Sequence, residues 1–72
     1  MAYKLFEVVT TTEALPEFGI SAGMVGVIVD VYPDGEFEVE FCNKDGETIA
    51  MVPLRPSQIA LADSAKPPEK LA

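Results

Sequence analysis

The sequence predicts an all-β fold: a small barrel of about five strongly bent antiparallel strands, one helical turn and a disordered C-terminal tail. Three observations predict it. Two turn motifs of the same design, "YPDG" (Tyr32 to Gly35) and "NKDG" (Asn43 to Gly46), punctuate the middle of the chain. Around them apolar residues alternate with others at the period of a strand: Val27, Val29 and Val31 before the first turn, then Phe37, Val39 and Phe41 interleaved with Glu36, Glu38 and Glu40. Helical signals are scarce, confined to "RPSQIALA" after Leu54.

Taken in order, "LFEVV" (residues 5 to 9) reads as the first strand. "TTTEALPEFGISAG" reads as a long loop with Leu15, Phe18 and Ile20 tucked beneath it. Gly23 supplies a positive φ, and Gly26 permits the close approach of a neighbouring strand. In "YPDG" Pro33 has the fixed φ of a second turn position, Asp34 takes the third, and Gly35 the left-handed place that opens a bulge. "NKDG" repeats the design. Three-residue hairpin loops fix a register in which Tyr32 faces Glu36, Val31 faces Phe37, Val29 faces Val39 and Val27 faces Phe41. Val27, Val29, Val31, Phe37, Val39 and Phe41 then share the inward face, joined by Ile49 and Met51. Pro56 opens the helical turn, a last short strand follows, and the tail runs from Asp63 through Pro67 and Pro68. One domain spans residues 1 to 62, and five short strands with a long first loop describe an SH3-like barrel.

Charge sets the surface. The chain has 72 residues, with twelve acids, five bases and no histidine, for a formal net charge of −7. The final ten residues carry two of each sign, so the ten acids and three bases that remain give the folded part the whole excess. Such a surface repels a phosphate backbone, since nucleic-acid affinity rests mainly on lysine and arginine. Phe37 and Phe41 turn inward in this register, and Tyr32 sits among Asp30, Asp34 and Glu36, which leaves few aromatics to stack bases. Cytoplasmic localisation is expected from a single cysteine and the lack of a secretory pattern, and no apolar run nears the roughly 20 residues of a membrane span.

The same register places Ile28, Tyr32, Ala50 and Val52 on the outward face, interleaved with Asp30, Glu36, Glu38 and Glu40. Glu40 lies between Ile28 and Ala50, and Glu38 between Asp30 and Val52. Like charges set opposite one another cost a few tenths of a kcal/mol. A solvated face that discourages edge pairing accounts for the acids, and an acidic rim around apolar residues also describes a protein-binding face. Ile28, Asp30, Tyr32, Glu38, Glu40, Ala50 and Val52 are therefore the candidate interface.

Catalytic chemistry finds no footing. "FCNKDGETIAMV" approaches a calcium loop at Asn43, Asp45 and Gly46, but Phe41 and Val52 stand where the first carboxylate and the bidentate glutamate belong. Cys42 has no histidine to activate it, and Asp30 with Glu38 on an open strand face has no pocket to shift its acidity. No catalytic residue, metal ligand, cofactor or small-molecule substrate is assigned.

"LFEVV", "LPEFGISAGMVGVIVDVYPDGEFEVEF", "DGETIAMVPL" and "SQI" resemble, over Leu5 to Ile59, a family of short bacterial proteins common in cyanobacteria, the domain of unknown function 4926. "AGMVGVIVDV" is more distantly similar to the opening of SH3-like barrels in the nitrile hydratase beta subunit and in electron-transport accessory proteins. The resemblance implies the fold and brings no catalytic residues. The expected function is a non-catalytic interaction or assembly module that binds itself, as a dimer or trimer, or a basic protein partner. In a self-assembly, Lys4, Lys44 or Arg55 of a neighbour would meet Glu38 or Glu40. A nucleic-acid module is the alternative, and an accessory subunit of an enzyme complex a weaker one.

Overall fold

The computed structural model describes residues 3–62, and the tail expected from Asp63 lies outside the described residues. Among these residues five strands follow in order: β1 (Val8–Thr11), β2 (Val25–Val31), β3 (Phe37–Cys42), β4 (Thr48–Leu54) and β5 (Ile59–Leu61). Every ladder is antiparallel, and the strands form one sheet in the order β4-β3-β2-β1-β5. The all-β class is as expected. The edges are β4 and β5, and among the described residues no ladder joins them.

Both hairpin turns form as their residues require. Gly35 and Gly46 take φ of 93° and 83°, the left-handed region that glycine enters without a Cβ penalty. The Tyr32 N–H donates to the Glu36 carbonyl (2.8 Å) and the Asn43 N–H to the Glu47 carbonyl (2.9 Å). Short polar side chains brace each loop: Asp34 Oδ1 accepts from the Glu36 N–H, and Asn43 Oδ1 accepts from the N–H groups of Asp45 and Glu47.

Past the turns the register departs from expectation. Val31 pairs with Phe37 and Asp30 with Glu38, but Ile28 then pairs with Val39, so Val29 is an extra residue in β2. In the second hairpin Cys42 pairs with Thr48, and Phe41 already pairs with Ala50, so Ile49 is extra in β4. Each extra residue is a β-bulge that reverses which alternate residues face inward. Ile28, 0% exposed, and Val52, 5% exposed, are core residues rather than outward ones, and Ala50 packs half-buried against the core. Val27 and Val29 are only half-buried, while Val31, Ile49 and Met51 are exposed. The straight middle strand keeps its expected phase, with Phe37, Val39 and Phe41 buried.

The core is completed by Val9 from β1, Leu15 and Ile20 from the long loop, Leu54 from β4 and Ile59 from β5. Gly26 faces this core: a Cβ there would stand 2.6 Å from Val39 Cγ1 and 2.8 Å from Phe41 Cε1, so the missing side chain is the space those two occupy. Tyr3 closes one side, its ring edge-on to Phe37 with centroids 5.5 Å apart. In the long loop Leu15 and Ile20 bridge one another across a 3-10 turn at Pro16–Phe18, which leaves Phe18 exposed instead of tucked beneath. The buried Thr11 pins the loop, its hydroxyl donating to the Ser21 carbonyl (2.6 Å) and accepting from the Met24 N–H (3.0 Å). A second 3-10 turn, Pro56–Gln58, leads into β5, with Pro56 at its start as the sequence predicts.

The first strand is shorter than "LFEVV" suggests. Leu5 and Phe6 form a reverse turn, and β1 begins at Val8.

Candidate protein-docking face

The bulges that turn Ile28 and Val52 inward decide what the outer face presents. Val8 pairs with Val27, Val27 with Glu40, and Glu40 with Met51, so one row crosses four strands with a carboxylate among three apolar side chains. The next outward row sets Asp30, Glu38 and Pro53 side by side. Of the expected face, Asp30, Tyr32, Glu38 and Glu40 are where they were placed. Ile28, Val52 and Ala50 are replaced by Val27, Pro53 and Met51.

Each central carboxylate is oriented by a neutral donor. The Tyr32 hydroxyl donates to Glu38 Oε1 at 2.8 Å, and the Thr48 hydroxyl donates to Glu40 Oε2, with the Cys42 thiol at 3.9 Å from the same oxygen. The Tyr32 pKa is raised, first by the hydrogen bond to Glu38, then by desolvation and by the negative charges of Glu38, Asp30 and Glu36. Asp30, Glu36 and Glu38 therefore all oppose ionisation of this ring, with the Glu38 hydrogen bond leading. Beside it Tyr32, Pro33, Asp34, Glu36 and Pro53 line a shallow, open depression.

Strand faces hold Glu38 and Glu40 in place, yet the face is open, and the depression at its margin has no enclosed volume to exclude water from a reacting group. Among the described residues no three of histidine, cysteine, aspartate and glutamate stand together as metal ligands. The Asn43 carboxamide of the calcium-like stretch is engaged within its own turn, its Nδ2 donating to Glu47.

The family model of the domain of unknown function 4926 matches residues 5–61. The chain belongs to that family. No curated protein and no solved structure matches it. In this member of the 4926 family the matched segment begins at the Leu5–Phe6 turn and runs into β5, so it takes in the whole sheet and the outer face. No helix among the described residues is long and apolar enough to cross a membrane.

Sequence reasoning missed Val8, Val27, Met51 and Pro53 as outward residues. For β4 a signal existed: Leu54 shares the phase of Val52, and two strongly apolar residues two apart mark the inner side of that strand better than Met51 does. For β2 the signal was Gly26, whose phase is that of Ile28 and whose missing side chain suits a crowded interior.

Proposed function

We propose that this domain is a non-catalytic docking module whose outer face, centred on Glu38 and Glu40, binds a protein partner with a basic surface. One observation carries the reading. Glu38 and Glu40 are half-buried residues on the face that also carries Val8, Val27, Met51 and Pro53, and among the described residues the hydrogen-bond donors that reach their carboxylates are the neutral Tyr32, Thr48 and Cys42. A carboxylate held in place beside apolar surface, with its charge uncancelled by those donors, favours an incoming lysine or arginine over water alone. Charge steers the encounter, and the apolar row supplies area to bury, worth about 25 cal/mol per Å² removed from water.

The test is affinity capture from the native cell at two ionic strengths, with wild-type protein and with a Glu38→Gln/Glu40→Gln double variant. The expected result is one basic protein in stoichiometric amount, lost at high salt and lost with the double variant. Recovery of the chain alone, together with a dimer or trimer mass by light scattering, would replace the partner with self-assembly. Retention on single-stranded DNA at low salt would move the reading to nucleic acid.

A further inference from the structure

The turn at the start of the matched segment is at odds with an isolated domain. The Glu7 N–H donates to the Lys4 carbonyl (3.2 Å), so Lys4 to Glu7 form a four-residue reverse turn with Phe6 in its third position. Phe6 has φ of 70° there, and it is the only non-glycine residue with positive φ among the described residues. A type II turn requires that conformation at its third position, and glycine or asparagine normally supplies it. A bulky aromatic residue in the left-handed region is a conformational outlier that its surroundings must hold in place.

The backbone does hold it. The Phe6 N–H donates to the Ile28 carbonyl (2.7 Å), the Ile28 N–H donates to the Glu7 carbonyl (3.0 Å), and Glu7 Oε1 accepts from the Lys4 N–H (2.7 Å). These bonds explain the turn and leave the phenylalanine unexplained, because glycine would make all of them with less strain. Packing does not explain it either: Phe6 is 72% exposed and its neighbour Leu5 is 48% exposed. Strain at a bulky side chain, with no burial to offset it, is the pattern of a residue whose packing partner is another molecule.

We infer that the Leu5–Phe6 turn is an apolar anchor that inserts into a hydrophobic pocket of a basic protein partner, the pocket being rimmed by lysine or arginine. The inference deepens the docking reading above and rests on it. Continuity supports the assignment. The turn is stitched to Ile28 next to the bulged Val29, and Val8, two residues beyond Phe6, opens the row that contains Glu40. Charge selects the partner's chemistry. The described residues hold ten acids against Lys4, Lys44 and Arg55, so a second copy would bring the same excess of negative charge to the contact, whereas a basic rim would complement it. Aromatic anchors that fill a partner's pocket commonly carry a large share of binding energy, while surrounding charged contacts contribute less.

The experiment places a photoreactive benzoylphenylalanine at position 6 of the full chain, and in a second protein at position 18, and irradiates both in the native cell. The crosslinked protein is then purified and its affinity measured against wild type, Phe6→Asn, Phe6→Leu and the Glu38→Gln/Glu40→Gln double variant. The expected result is one basic protein captured from position 6 and not from position 18. It should bind Phe6→Asn about tenfold more weakly or worse, with Phe6→Leu intermediate. Phe6→Asn alone should melt at or above the wild-type temperature, because asparagine tolerates the left-handed region. Capture of the same chain, capture of an acidic protein, no crosslink from position 6, or undiminished binding by Phe6→Asn would each overturn the anchor. So would a Phe6→Asn variant that melts well below wild type, since Phe6 would then be packing within its own fold. Loss of binding in the double variant with Phe6→Asn unaffected would leave the docking face standing and remove the anchor. The converse would remove the basic rim.

Discussion

The two hairpins share one turn and diverge beyond it. Around Gly35 and around Gly46 the loop is closed by equivalent backbone bonds and braced by an aspartate or asparagine side chain. After the first turn two residue pairs form before Val29 is looped out of β2, whereas after the second turn a single pair forms before Ile49 is looped out of β4. Strand β3 belongs to both hairpins and is bulged in neither, so its inward and outward residues alternate without interruption. The difference teaches that turn chemistry dictates register only as far as the first bulge. Bulges also increase local twist, and a sheet this small needs twist to wrap both flanks of β3 around one core.

The sharpest way to break this comparison is to set a bulged residue against its neighbour. Ile28→Ala should cost about 2–5 kcal/mol, the range for emptying a fully buried isoleucine site, because Ile28 lies opposite Val39 at 0% exposure. Val29→Ala, at the half-buried bulge, should cost about 1 kcal/mol or less. Urea denaturation of the two variants decides the matter. A larger loss at Val29 would restore the uninterrupted alternation and remove the bulge from β2.

Gly26→Ala is expected to rank second. Its new methyl would overlap Val39 and Phe41, both wholly buried, and overpacking of that kind costs about 1–3 kcal/mol. Gly26→Ala combined with Phe41→Leu should recover part of the loss, since the ring makes two of the three closest contacts. If the single variant melted like wild type, Gly26 would not be facing the core.

These sites show where the sequence was legible. The turns announce themselves because Pro33, Asp34 and Gly35, and Asn43, Asp45 and Gly46, each meet a specific backbone demand. The phase of β3 was readable because alternation and both turns agree upon it. The phases of β2 and β4 were marked only indirectly, by Gly26 and by the Val52–Leu54 pair, because a bulge of this kind carries no obligatory glycine or proline: Val29 and Ile49 are ordinary strand residues. The seven residues of the candidate face divide in the same way. Glu38 and Glu40, on β3, and Asp30 and Tyr32, next to the first turn, lie on the expected side, whereas Ile28, Ala50 and Val52 lie beyond a bulge and face the other way. The Leu5–Phe6 turn was hidden for a different reason, since five residues rich in leucine, phenylalanine and valine read as strand and nothing in them marks a positive φ.

The turns offer a third, smaller test. Gly35→Ala and Gly46→Ala should each cost about 1 kcal/mol, and by similar amounts, because a Cβ at either position meets open space and only the left-handed φ opposes it. Thermal melts of the two variants side by side would check the equivalence. A loss at one glycine and none at the other would show that the two loops differ in backbone despite their shared motif.

The smallest effect is expected where the first hairpin meets the outer face, at Tyr32 and Glu38. The Tyr32 pKa is raised above its ordinary 10.0, and Glu38 supplies both the leading cause, through its hydrogen bond, and part of the electrostatic remainder. A folded-state value above the unfolded one means that the folded protein holds the phenol proton more tightly. The associated stabilisation is complete below the unfolded pKa and is lost as pH rises through the folded one, so it should fade only in the alkaline range. Glu38→Gln should lower the Tyr32 pKa without returning it fully to the ordinary value, since desolvation, Asp30 and Glu36 still oppose ionisation. Tyrosinate absorbance in a Tyr3→Phe background reports Tyr32 alone, and the change in stability should be slight because the group lies at the surface, where solvent screens the interaction. The second hairpin has no tyrosine in the corresponding place: Glu40 is held by Thr48, which does not titrate, so Glu40→Gln should leave the absorbance curve almost unmoved. Equal shifts from Glu38→Gln and Glu40→Gln would mean that Tyr32 senses the whole acidic face rather than its own hydrogen bond, and the difference between the two hairpins at that face would disappear.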